Sequence, residues 1–291
     1  MMKKKLDDAE RSRLPGSFVR LTHGFVHYEL SGPPEGPALL LVPGLSVPYS
    51  TWSRNSGALA EAGYRVLRYE HYGRGYSDRP VLSYDLKLYV DQIEELVSAL
   101  GLGRPLALVG LSMGGAVAAA TAVRHPGIAR ALILVDPLFE WPEQGPGSRL
   151  LAAPFLGDLA MALLGDRLLA GGQRGDFLDE ASFREFLPSY MPSLAYRGIG
   201  RAVLSTMRSI PSWPLSRTYA GLGRSGLPLL LIWGREDATL PFAQSERLLA
   251  ALPGAEFRPI EGAGHVPQWE KAGEVNEAIL GFLRTHGDTI S

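Results

Sequence analysis

Short apolar runs alternate along this chain with longer stretches whose apolar residues recur every three or four positions. "SFVRLT" (17–22) and "FVHYEL" (25–30), separated by His23 and Gly24, predict an antiparallel hairpin. "PALLLVPG" (37–44) is apolar almost throughout and predicts a short strand covered on both faces. A helix around 53–62, a strand over "YRVLRYE" (64–70) and a helix over 84–101 that stops at Gly101 follow in order. "LALVG" (106–110) predicts another buried strand. An alanine-rich helix runs from about 113 to 124, ended by His125, Pro126 and Gly127, and "RALILVDP" (130–137) is again a strand. From 138 to about 223 the rhythm stops, and only helical patches such as "YRGIGRAVLSTMRSI" appear. It resumes with "LPLLLIWG" (227–234), a helix over 242–251, "AEFRPI" (255–260) and a last helix over 272–285. Strands alternating with helices predict right-handed βαβ units in a mostly parallel sheet, interrupted by a helical insertion.

Composition narrows the class without changing that picture. A chain of 291 residues suits one large domain, or one domain carrying a sizeable insertion. With 46% hydrophobic and 20% charged residues it reads as an ordinary soluble globular protein. A net charge of −1 provides no field for nucleic acid or an anionic membrane. The absence of cysteine excludes disulfides, thiolate catalysis and thiolate-held metal. The opening "MMKKKLDDAERSR" is basic and then acidic, without the apolar core of a secretory signal, so residues 1–16 read as a flexible tail. No apolar run reaches the roughly 18 residues of a membrane span. The nearest approach, "LLAAPFLGDLAMALLGD", is broken by Asp158. The expectation is a cytoplasmic protein, monomer or homodimer, acting on a small molecule.

Candidate chemistry begins where the strand "LALVG" breaks at a serine among glycines. Gly110-Leu111-Ser112-Met113-Gly114 fits G-x-S-x-G in the strand–turn–helix setting that motif requires. To present its hydroxyl above a sheet edge, Ser112 needs a sharp turn with positive φ. Side chains at 110 or 114 would clash in such a turn, and Gly115 permits still closer packing. A serine hydroxyl is a poor nucleophile without a base, and the base needs an orienting acid. Asp237 in "LLLIWGREDATLP" and His265 in "IEGAGHVPQWE" both lie in loops after later strands. Asp136, ending "LILVDP", and Glu236 are the other acids so placed. The remaining histidines (His23, His27, His71, His125, His286) read as surface or turn residues. No H-E-x-x-H or similar cluster predicts a metal, and the "GRG" at 73–75 is too short for a dinucleotide fingerprint, so neither metal nor cofactor is expected.

With these elements in place, residues 17–285 resemble the α/β-hydrolase fold superfamily, and "YGRGYSDRP" (72–80) adds to the likeness. The resemblance implies a mostly parallel sheet flanked by helices, a core of 17–137 and 224–291, and a helical cap over 138–223. It implies Ser112 as nucleophile, His265 as general base and then acid, and Asp237 as the orienting acid. It also implies an oxyanion hole from the backbone N–H groups of Met113 and Leu45. The chain departs from the pattern at Pro43-Gly44, where many relatives carry His-Gly, and at Glu70, where aspartate is common; Ser46 is a further hydroxyl in that loop. A serine nucleophile leaves the ester-cleaving branches foremost, a carboxylesterase or lipase acting through an acyl-enzyme. Carbon–carbon hydrolysis of ring-cleavage products is the alternative, with Arg197 or Arg201 holding a substrate carboxylate. A small-molecule receptor with an idle triad is the third reading.

Overall fold

The computed structural model describes residues 3–141, 145, 147 and 151–286. Eight strands form one sheet: β1 (Ser17–Leu21), β2 (Gly24–Ser31), β3 (Ala38–Val42), β4 (Arg65–Tyr69), β5 (Leu106–Leu111), β6 (Ala129–Val135), β7 (Leu229–Gly234) and β8 (Glu256–Ile260). Their spatial order is β1-β2-β4-β3-β5-β6-β7-β8. The β1–β2 and β2–β4 pairs are antiparallel and all later pairs parallel. Strands β3, β5 and β7 are buried along their whole length, which is why they read as unbroken apolar runs rather than alternating ones.

Helices α1 (Ser53–Glu61), α2 (Leu86–Ala99), α3 (Met113–Arg124), α8 (Ala243–Ala251) and α9 (Ala272–Thr285) cover the two faces. Each face closes its own core. Leu40, Val42, Leu108 and Leu134 point to the layer of α2 and α3, while Leu39, Leu41, Val109 and Ile133 join the layer of α9. Asp85 caps α2 by accepting the Leu88 N–H at 2.9 Å, fixing the start that the sequence left within two residues.

Between β6 and β7 the described residues form α4 (Leu156–Gly172), α5 (Glu180–Tyr190), α6 (Ile199–Ser209) and α7 (Leu215–Gly223), with no named strand. Residues 142–144, 146 and 148–150 of the expected insertion lie outside the described residues. Helix α7 packs against α3 in the main body, where the Tyr219 hydroxyl donates to the Leu138 carbonyl at 2.9 Å. Helix α7, within the expected 138–223 insertion, is thus anchored on the main body. The N-terminal segment makes contacts of its own. Met1 and Met2 lie outside the described residues, but residues 8–11 form one helical turn. Lys4 is bonded through its backbone to Ala195 and Arg197, and Arg11 is paired with Asp78 at 2.5 Å. Ion pairs to distant side chains hold a segment whose local sequence has no apolar face of its own. Among the described residues no helix is long and apolar enough to cross a membrane.

Candidate active site

The parallel strands deliver six loops to one edge of the sheet, after β3, β4, β5, β6, β7 and β8, and the candidate residues lie in them. Ser112 joins β5 to α3 with φ 55° and ψ −122°, a backbone region that a side chain tolerates only when its surroundings enforce it. Here the Ser112 N–H donates to Val135 at 2.9 Å, and its carbonyl accepts from Leu138 and Gly115, each at 2.9 Å. A Cβ on Gly110 would stand 2.5 Å from the Gly114 carbonyl oxygen, so that glycine lets the helix cross its own strand. A Cβ on Gly114 would stand 2.4 Å from the Pro43 oxygen and 2.5 Å from that of Val42. Its absence seats the start of α3 against the end of β3.

That close approach brings two backbone donors beside the serine. Met113 opens α3, so its N–H has no acceptor within the helix. The Leu45 N–H finds no acceptor among the described residues either. Gly44 adjoins Ser112, its Cβ position lying 3.5 Å from the serine Cβ. Two free amides and the start of a twelve-residue helix suit a developing negative charge.

His265 and Asp237 meet from the loops after β8 and β7. His265 Nδ1 and Asp237 Oδ2 are 2.7 Å apart, and both residues are buried. Asp237 Oδ1 accepts the N–H groups of Thr239 and Leu240, each at 2.8 Å, so the carboxylate is fixed before it meets the imidazole. Burial alone would lower the imidazole pKa. The charge and hydrogen bond of Asp237, with the charge of Asp176, overcome it and leave His265 above the ordinary value. Glu236 turns away and accepts the Ala263 N–H at 3.1 Å, bracing the histidine loop. Ser112 and His265 line the same cavity, and no hydrogen bond joins their side chains, a contact that often forms only with substrate in place.

Residues 39–278 match the model of the alpha/beta hydrolase family. This chain belongs to the alpha/beta hydrolase family. Within it, the hydrolase is 31% identical over 272 residues to a 2-hydroxy-6-oxononadienedioate/2-hydroxy-6-oxononatrienedioate hydrolase of Burkholderia vietnamiensis, covering 89% of this chain and 91% of that protein. The enol-lactonase of Burkholderia xenovorans LB400 superposes with a TM-score of 0.79 at 23% identity, over 92% of this chain and all of that one. A thermophilic esterase of Thermogutta terrifontis superposes at 0.78 with 24% identity, over 93% and 99% of the two chains. The two structures establish the shared fold.

The hydrolase encloses a cavity of about 570 Å³ above Ser112 and His265. Its walls are mostly apolar, from Leu45 and Val47 below to Met161, Leu169 and Val203 above. Ser46, Gln173, Asp176 and Thr239 add polar groups. Asp176 accepts the Thr239 hydroxyl at 2.7 Å, and burial raises its carboxyl pKa, with His265 pulling the other way. No lysine or arginine is among the described lining residues. Arg197 donates to the Lys3 carbonyl, and Arg201 to those of Arg79 and Pro80, so neither guanidinium reaches the cavity.

Two residues beneath the Pro43–Leu45 loop escaped the sequence reading. His71 is wholly buried, not a surface histidine, and its Nε2 donates to the Pro43 carbonyl at 3.1 Å. Burial first, and then the Arg74 charge, lower its pKa to about 3, so the ring is neutral. A neutral ring donating from Nε2 must accept at Nδ1, where the Tyr69 hydroxyl stands 3.3 Å away. His27 is buried as well, against Pro15. Arg74 is fully buried and pairs with no carboxylate among the described residues. Its Nε donates to the Leu45 carbonyl at 2.6 Å and one NH2 group to Thr206 of α6 at 2.8 Å. The only advance signal for either residue was their place in "YEHYGRGYSDRP".

Proposed function

We propose that this protein hydrolyses carboxylic esters of small to medium, uncharged and largely apolar substrates through an acyl-enzyme. The Ser112 hydroxyl attacks the ester carbonyl while His265 Nε2 takes its proton. Asp237 holds the Nδ1 proton and stabilises the imidazolium. The amides of Met113 and Leu45 take the negative oxygen of the tetrahedral intermediate, each worth about 3 kcal/mol of barrier. His265 then protonates the departing alcohol, and water, deprotonated by the same imidazole, releases the acid.

The observation that carries this choice of substrate is the lining of the cavity: apolar walls, one acid and no cation among the described residues. A dienoate or dioate, as named for the Burkholderia vietnamiensis relative, brings carboxylates into the site. Among the described lining residues such a group meets Asp176 and no cationic partner. A panel of p-nitrophenyl esters from acetate to decanoate, run beside a ring-cleavage dienoate, tests the reading. Butyrate to octanoate should be cleaved best, with turnover lost in Ser112→Ala. Faster turnover of the dienoate than of any ester would overturn it.

A further inference from the structure

Asp136 follows β6 with φ 41°, a left-handed backbone that few residues besides glycine, asparagine and aspartate adopt. Its N–H donates to Ile232 at 3.0 Å and its Oδ1 accepts the Gly234 N–H at 2.9 Å. Both contacts turn the carboxyl under the end of β7, from which the Asp237 loop departs. The residue is wholly buried, and its Oδ2 has no hydrogen-bond partner among the described residues. An oxygen of Asp136, an oxygen of Asp237 and a ring nitrogen of His265 all lie within 4.8 Å of one another.

Charge balance then decides the protonation state. The acids facing this cluster are Asp136, Asp237, Asp176 and Glu270, and among the described residues the one group able to carry positive charge there is His265. No lysine or arginine pairs with either aspartate among the described residues. Two buried carboxylates at this separation do not both ionise when a proton is at hand. Asp237 is the anion, because two backbone N–H groups and the imidazole already point at it. It accepts three hydrogen bonds and has room for a fourth.

We propose that Asp136 stands as the neutral acid and donates its Oδ2 proton to the Asp237 carboxylate. Asp136 is then a positioning residue: it fixes the carboxylate that orients His265 and holds the aspartate pair at a single negative charge. A second full charge would strengthen the imidazolium and push the base's working range toward higher pH. Burial, followed by the charge of Asp237, raises the Asp136 carboxyl well above the usual carboxylate range, in keeping with this state. The catalytic meaning rests on the reading of His265 as base; the protonation state does not.

Infrared difference spectra of wild type minus Asp136→Asn at pH 7 read that state directly. The carbonyl stretch of a neutral carboxylic acid should appear in wild type and vanish in the variant. Carboxylate bands in its place would overturn the proposal, whatever the activity of the enzyme. Should Asp136→Asn fail to fold, protein labelled with carboxyl-13C aspartate shows the same band, and Asp176→Asn separates the other buried aspartate from it. In kinetics, Asp136→Ala lowers kcat by about tenfold with KM little moved, and Asp136→Asn, which keeps a donor, recovers most of it. The acid limb of the pH profile stays in place in Asp136→Asn. A fall of that limb by about one pH unit would mean a lost negative charge and refute the neutral acid.

Discussion

Gly114→Ala is the sharpest test of how the elbow is built. The added methyl would lie 2.4 Å from the Pro43 oxygen and 2.5 Å from the Val42 oxygen, where ordinary contact begins near 3.4 Å. Neither neighbour is a flexible side-chain tip. Both are backbone atoms at the end of a buried strand, so β3 and α3 must part by about 1 Å. Overpacking of that kind costs about 1–3 kcal/mol, or about 2–5 °C in Tm for a chain of this size. The larger effect falls on chemistry, because the same displacement separates the Met113 amide from the Leu45 amide. A misplacement of about 1 Å in a positioned group lowers rate about 100-fold. The assay is kcat/KM on p-nitrophenyl butyrate together with a thermal melt. Gly57→Ala on the exposed side of α1 is the control, since its methyl meets nothing within 4 Å. That variant should gain about 0.5–1 kcal/mol of stability and keep its activity. If Gly114→Ala keeps kcat/KM within threefold and melts with the wild type, the steric reasoning is wrong.

Two further outcomes follow from the site. The base works when neutral and its pKa is raised, so kcat/KM should climb with pH through a midpoint above the unperturbed value of about 6.5; a midpoint below 6 would show that burial, not Asp237, dominates the imidazole. Arg74→Lys cannot span from the Leu45 carbonyl to the Thr206 hydroxyl, and should lower kcat about tenfold while shifting KM little; a pure KM effect would place Arg74 in binding instead.

The order of strands and helices was legible because each strand of the parallel region carries its own run of Leu, Val and Ile, and each helix its own period. Gly110, Ser112 and Gly114 were legible because a strained turn tolerates few residues. His265 and Asp237 could be read from their places in loops after strands, once a serine needing a base had been found. His71 and Arg74 could not. Their role is to hold carbonyls of residues 28 and 29 positions earlier in the chain, and no local pattern encodes such a distance. The seat of helix α7 was illegible for a similar reason. Its apolar face is the same whether it meets a cavity or α3, and only packing tells them apart. The N-terminal segment shows the converse, since Lys4 and Arg11 are held by partners near residues 195 and 78.

The peptide N–H of His265 donates to the Asp176 carbonyl at 2.9 Å, while Glu270 accepts the N–H groups of Gly264 and Leu178, each at 2.7 Å. The covering layer and His265 thus share one corner. A substitution that removes these bonds, such as Glu270→Ala, would therefore disturb the 176–178 segment and the His265 loop together.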